Sequence, residues 1–157
     1  MTLAGEDSSP SPLPPAADDA RPSAEMLELP RAECLRLLAA SQFGRIAVNG
    51  ASVPIIRPVN YVFDAASQSV IFRTASGTKL HALLKSASAV FEIDGNDPAA
   101  LSGWSVIIIG ITEEVTDRSE IRRLETIGVD PWPPGVKSHW LRVRARVVSG
   151  RRIAVSG

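Results

Sequence analysis

The chain has 157 residues, 45% apolar and 22% charged, which fits one globular domain with a core of its own and argues against two. Seventeen basic residues balance seventeen acidic ones and aromatics make up only 5%, so no global field or aromatic density points to nucleic acid or to an anionic membrane. The balance hides an asymmetry: residues 1–28 hold six acids (Glu6, Asp7, Asp18, Asp19, Glu25, Glu28) against Arg21, leaving a basic body suited to an anionic ligand. The single cysteine, Cys34, excludes an internal disulfide, and its setting among leucines reads as a helix rather than a reactive loop. The N-terminus lacks a signal-peptide pattern and the longest strongly apolar run, Val106 to Ile109, is too short to span a bilayer, so the cytoplasm is the expected compartment. Two histidines and one cysteine, with neither C-x-x-C nor H-E-x-x-H, argue against a metal site.

Residues 1–28 are rich in Pro, Ser, Ala and acid, with no apolar periodicity to bury, and are expected to form a disordered tail ahead of a single domain over 29–157. Pro30 suits the start of a helix that runs through Arg31 to Ala40 and ends by Gln42 or Gly44. Arg45 to Val48, the turn signal Asn49-Gly50, and Ala51 to Phe63 read as a hairpin. Pro54 and Pro58 cannot donate to a ladder, so the second strand must be an edge, bulged or irregular, and leaves backbone groups for another partner such as a ligand. Ser69 to Thr74 is a third strand, followed by a turn at Ala75-Ser76-Gly77 and a helix from Thr78 carrying Leu80, Leu83 and Leu84 on one side. Ala89 to Asp94 is a fourth strand, and Trp104 to Thr116 a fifth. Asp117 caps a helix with Ile121, Leu124 and Ile127 at helical spacing before Gly128. A Pro-rich loop follows, then a last long strand over His139 to Ser149. Six strands and three short helices without strand–helix alternation predict a mainly β fold, an antiparallel barrel with helical plugs.

The strongest candidate site is Arg73-Thr74-Ala75-Ser76-Gly77-Thr78-Lys79. A strand delivers a guanidinium and a hydroxyl, a small-residue turn exposes N–H groups, and a helix starts beside a lysine, an arrangement suited to phosphate. The Walker spacing is absent, and a solvated turn is the competing reading. Arg142, Arg144 and Arg146 alternate with Val143, Ala145 and Val147, which puts three guanidiniums on one strand face, either solvated or meeting a ligand or second subunit. His139 and Trp140 could overlie a pocket or serve as a turn and a core aromatic, and Trp104 is similarly open between pocket and core. No nucleophile–base pair is evident.

Arg57-Pro-Val-Asn-Tyr-Val-Phe, Val70-Ile-Phe-Arg-Thr-Ala-Ser-Gly-Thr-Lys-Leu, Val90-Phe-Glu-Ile-Asp and Gly103-Trp-Ser-Val, in this order and spacing, resemble the pyridoxamine 5'-phosphate oxidase-like superfamily of FMN-binding split β-barrels. The resemblance covers roughly Leu29 to Ile153 and is strongest to the small actinobacterial and nitroimidazole-reductase-like members. It implies a six-stranded split barrel that dimerises, with two FMN molecules in clefts between subunits and each flavin ring along the strand Pro58, Val59, Asn60, Tyr61. It implies further that Arg73, Thr74, Ser76 and Lys79 hold the FMN phosphate, that Trp104 and Ser105 lie near the flavin, and that His139 and Trp140 reach across the dimer. The chemistry would then be the cofactor's, hydride transfer at flavin N5 to or from a small molecule such as a nitro or quinone compound, which needs no acid–base pair. Related barrels take deazaflavin or haem, and a non-catalytic flavin-binding or sensing protein is the reading from a different class. The basic C-terminal substrate motif of true pyridoxamine phosphate oxidases cannot be placed here, Arg151 and Arg152 notwithstanding, so vitamin B6 oxidation is not the expected activity.

Overall fold

The computed structural model describes residues 23–75, 81, 84, 88–132 and 134–155. Among these, eight strands and two helices follow one another as β1 (Ala24–Glu28), α1 (Arg31–Ala40), β2 (Phe43–Asn49), β3 (Pro54–Asn60), β4 (Val62–Asp64), β5 (Ser69–Thr74), β6 (Ser88–Asp97), β7 (Ser102–Val115), α2 (Arg118–Ile127) and β8 (His139–Val155). All pairings are antiparallel, in the order β3-β2-β6-β7-β8-β5-β4, with β1 added to the far end of β8. Only Tyr61 separates β3 from β4, yet these strands lie at opposite ends of the hydrogen-bonded order, so the chain itself bridges the gap. The result is a mainly β split barrel.

Among the described residues there are two strands more than the six expected. Ala51 to Phe63 breaks at Tyr61 into β3 and β4, because it must leave β2 to join β5. Residues expected to end the tail form β1 instead, paired with the end of β8, where Glu28 lies opposite Arg151 and Met26 opposite Ile153. Ordered structure thus begins before Leu29; residues 1–22 lie outside the described residues. The expected helix after β5 is described only at His81 and Leu84.

The β2–β3 hairpin forms, but Asn49-Gly50 is not its two-residue turn. Asn49 pairs with Pro54, and the N–H of Gly50 donates to the carbonyl of Val53 at 3.1 Å, closing a four-residue loop without the positive φ that the tighter turn demands. β3 pairs only with β2, the edge position its two prolines require. Pro30 stands at the start of α1, where its carbonyl accepts from Glu33 and Cys34. Asp117 accepts from the N–H of Glu120 at 2.8 Å to cap α2, which ends at Gly128 with φ 80°.

The inner face of the barrel is closed by α1. Cys34, Leu37 and Leu38 pack with Ile46, Phe72, Phe91, Ile93, Val106, Ile108, Leu141 and Val143. Burial pushes the Cys34 thiol up, the state of an inert packing group. A second, smaller cluster forms where α2 covers the other face of β5 and β8, with Leu124 against Ile71, Val115, Val129 and Trp140. An ion pair pins α2: Arg123 donates to both carboxylate oxygens of Asp64, at 3.1 and 2.6 Å, while Ser67 donates to the same group. The Arg123 guanidinium holds the buried Asp64 carboxyl down at about 2. A depressed carboxylate stabilises the fold above its unfolded pKa and ceases to as pH falls through the folded value. Asp64→Asn is therefore expected to cost about 2 kcal/mol at neutral pH, with the difference from wild type closing between pH 4 and pH 2 in urea unfolding.

Candidate functional site

Strand alternation decides where each candidate side chain points. In the β5–β8 ladder Thr74 lies opposite His139, and Phe72 opposite Leu141, so Thr74 and His139 share the inner face. Arg73 lies opposite Trp140 on the other face, where its guanidinium stacks 4.7 Å from the ring centre of the buried indole. The guanidinium and hydroxyl read together as one pocket thus leave β5 on opposite faces. Ser76 and Lys79, the rest of that pocket, lie outside the described residues.

His139 does not stand alone. Glu114 near the end of β7 is opposite Leu141, which puts it on the inner face too, and its Oε1 meets His139 Nδ1 while its Oε2 lies 3.2 Å from His81 Nε2. The two imidazole rings lie against each other at a tilt of 33°, with centroids 4.0 Å apart. Hydrogen bonds from His139 and His81 hold the Glu114 carboxyl below the usual carboxylate range.

At the end of β3, Asn60 is buried and accepts through Oδ1 from the N–H of Trp132 at 3.0 Å. Trp132 stacks on Phe43 with ring centres 5.5 Å apart. These elements frame a cavity of about 240 Å³ lined by Gln42, Asn60, Tyr61, Val62, Asp130 and Trp132. The Tyr61 ring turns inward, edge-on to Phe91, and its hydroxyl donates to the carbonyl of Leu38 at 2.8 Å. Its side chain therefore fastens α1 to the barrel, and only its backbone borders the strand. Pro58 and Val59 precede it on the edge strand.

Trp104 and Ser105 stand at the opposite end of β7. The Trp104 indole covers Gly95, where an added Cβ would lie 2.8 Å from the ring, and the packing against the core explains a glycine in that register. Ten residues of strand separate Trp104 from Glu114, about 33 Å, so one chain does not bring Trp104 and Ser105 to His139 and Trp140. The expected face of three arginines does not hold: Arg142 and Arg144 both pair with Glu113, and Arg142 lies 3.4 Å from Glu120, but the register shift in β8 leaves Arg146 over and turns Val147 outward. Glu113 stays below the usual range, as these guanidiniums outweigh its burial.

Glu114, Trp132 and Phe43 were not singled out in the sequence. Glu114 had a readable signal, since it continues the register of Val106, Ile108, Gly110 and Thr112 and so puts an acid on the core face of its strand. The Trp132 and Phe43 pairing had none. Among the described residues, four buried side-chain polar atoms have no hydrogen-bond partner: Asn60 Nδ2, Arg73 Nε, Thr74 Oγ1 and Thr112 Oγ1. Three of the four belong to residues expected to hold a cofactor, and an orphaned buried donor is costly unless something meets it.

The described residues thus form a split barrel with orphaned polar groups at the ends of β3 and β5, and no nucleophile and base are assembled among them. The family model for pyridoxamine 5'-phosphate oxidase matches residues 30–152, and the chain belongs to that family. It is 32% identical over 134 residues to an uncharacterised Mycobacterium tuberculosis protein, covering 82% of this chain and 86% of that one. Among solved structures it is similar to an FAD-binding protein from Mycobacterium smegmatis, with TM-score 0.70 and 32% identity over 81% of this chain and 98% of the other. A conserved Corynebacterium diphtheriae protein of unknown function matches with TM-score 0.69 and 33% identity, over 83% and 98%.

Proposed function

We propose that this chain is a flavin-dependent oxidoreductase of small molecules that holds a flavin nucleotide, FMN or FAD, between two copies of itself. The observation that carries the reading is the set of orphaned groups at Asn60, Arg73 and Thr74, in a chain one third identical to an FAD-binding protein across nearly that protein's full length. Thr74, with Ser76 and Lys79, would hold phosphate from the inner face, and Arg73 would join them only by leaving Trp140 and reaching round the end of β5; Pro58 to Tyr61 would border the ring with backbone groups an edge strand leaves unused. Bound flavin supplies hydride transfer at N5, so the protein's work is binding, orientation and exclusion of water.

The dimer rests on two observations. A row of outward apolar side chains, Ile56, Ala47, Val90, Ile109 and Val147, crosses five neighbouring strands in register, and Ile109 is 46% exposed. Such a continuous stripe on a sheet face calls for a partner surface, and a two-fold axis would lay it on itself. The strand length of about 33 Å between Trp104 and Glu114, the end where His139 and Trp140 lie, has the same resolution, because a site using both ends must draw them from different subunits.

The test is direct. Released flavin should be identifiable by its spectrum and mass after heat denaturation, and Arg73→Ala with Lys79→Ala should weaken its retention roughly 10- to 100-fold with the fold intact, from the loss of charge-assisted phosphate contacts. Unchanged affinity in that variant would overturn the phosphate assignment. A protein that binds neither FMN nor FAD but takes up a deazaflavin would move the cofactor without moving the site.

A further inference from the structure

We propose that His81, Glu114 and His139 form a binding site for one divalent transition-metal ion of the zinc type, next to the end of β5 where the proposed flavin phosphate would lie. Three segments far apart in the chain deliver these groups to one end of the barrel: the stretch after β5, the end of β7 and the first residue of β8. Each oxygen of the Glu114 carboxylate faces a different ring, and the three prospective ligand atoms all lie within 4.8 Å of one another. A tetrahedral ion about 2.1 Å from each ligand would hold them about 3.4 Å apart, within reach of modest side-chain rotation.

The donor set selects the ion. Two imidazoles and one carboxylate suit zinc, iron(II) or cobalt(II), whereas magnesium and calcium require mostly oxygen. Side-chain exposures of 12% for His81, 18% for Glu114 and 27% for His139 leave the cluster mostly but not fully withdrawn from solvent, a setting that a bound ion can reach. Outer groups are present as well. Thr74 lies opposite His139, and Thr112 sits two residues before Glu114 on the same inner face; both hydroxyls are buried without a partner. Buried hydroxyls beside a ligand set can orient the carboxylate and a metal-bound water. Coordination through His81 Nε2 and His139 Nδ1 places each ring's remaining proton on its other nitrogen, so the ion takes over the role that the two N–H groups play toward Glu114.

The competing account is a hydrogen-bonded His–Glu–His ladder that binds nothing. The chain has two histidines in all, so their side-chain nitrogen resonances decide between the two without any substitution. Tag-free, chelator-treated protein is titrated with zinc chloride. Both imidazole signals should move together, saturate at one equivalent and return on addition of excess chelator. Calorimetry should give the same stoichiometry, with His81→Ala and His139→Ala each weakening binding at least about 100-fold. Should either variant fail to fold, the wild-type spectra still decide. Signals that stay in place at ten equivalents, or only one that moves, would overturn the site. None of these readouts depends on flavin, so the result stands apart from the proposed function.

Discussion

Ile109→Arg is expected to turn the proposed dimer into monomers and to strip it of flavin in the same step. Ile109 sits in the middle of the stripe, between Val90 on β6 and Val147 on β8, and is almost half exposed in one chain. A charge there costs a lone chain little, within about 0.5 kcal/mol for an exposed site. Against a second copy the same guanidinium would be desolvated beside its own symmetry mate, a cost of several kcal/mol. Light scattering should therefore report half the mass while circular dichroism stays unchanged. Flavin content should fall with the dimer, since the cleft proposed for it needs both subunits. A variant that remained dimeric and yellow would put the interface elsewhere on the molecule.

The largest stability effect is expected at Gly110. β7 and β8 share the longest ladder in the fold, and its register shifts between Ile109 and Gly110, which face Val147 and Ala145 and so leave Arg146 over. A Cβ on Gly110 would stand 1.9 Å from the carbonyl oxygen of Arg144, a backbone atom that no rotamer change can move aside. Gly110→Ala must therefore pry the two central strands apart at their irregular point. The expected cost is about 3 kcal/mol or more, a fall of roughly 10 °C in the thermal midpoint. An unchanged midpoint would show that the shift lies at another pair. Gly128→Ala makes a useful contrast: nothing lies within 4 Å of the added carbon, but φ is 80°, so its smaller cost would come from backbone strain alone.

Local rules account for most of the architecture that was readable. Pro30 and Asp117 mark helix starts, Gly128 a helix end, and the short apolar run in Ser69 to Thr74 and the alternation in Ser88 to Asp97 and Ser102 to Val115 carry their own strand signal. Pro54 and Pro58 declared an edge strand, because a missing N–H is a property of one residue and needs no partner to be known. The two-residue Asn49-Gly50 turn failed for the opposite reason. A turn signal states what is permitted, and the register between β2 and β3 chose a longer loop. Likewise the acidic composition ahead of Leu29 was visible, but the pairing of residues 24–28 with the end of β8, with Glu28 opposite Arg151, was not, since the two strands lie more than 120 residues apart.

At the candidate site, residue chemistry alone showed which groups are able to serve: a basic body, Arg73 beside Thr74, two histidines, and prolines that free the backbone of one strand. The sequence also carried the family resemblance. The tertiary structure alone decided which of them meet. Strand pairing sent Arg73 to Trp140 and Thr74 to His139, on opposite faces. It set Trp104 at the far end of β7 from His139, and closed Glu114 between the two histidines that sequence spacing had argued against as a metal site. The physical reason is that propensity and alternation act over a few residues, while a site is assembled by hydrogen-bond register between strands distant in the chain. A register is fixed only when the whole apolar face finds its core.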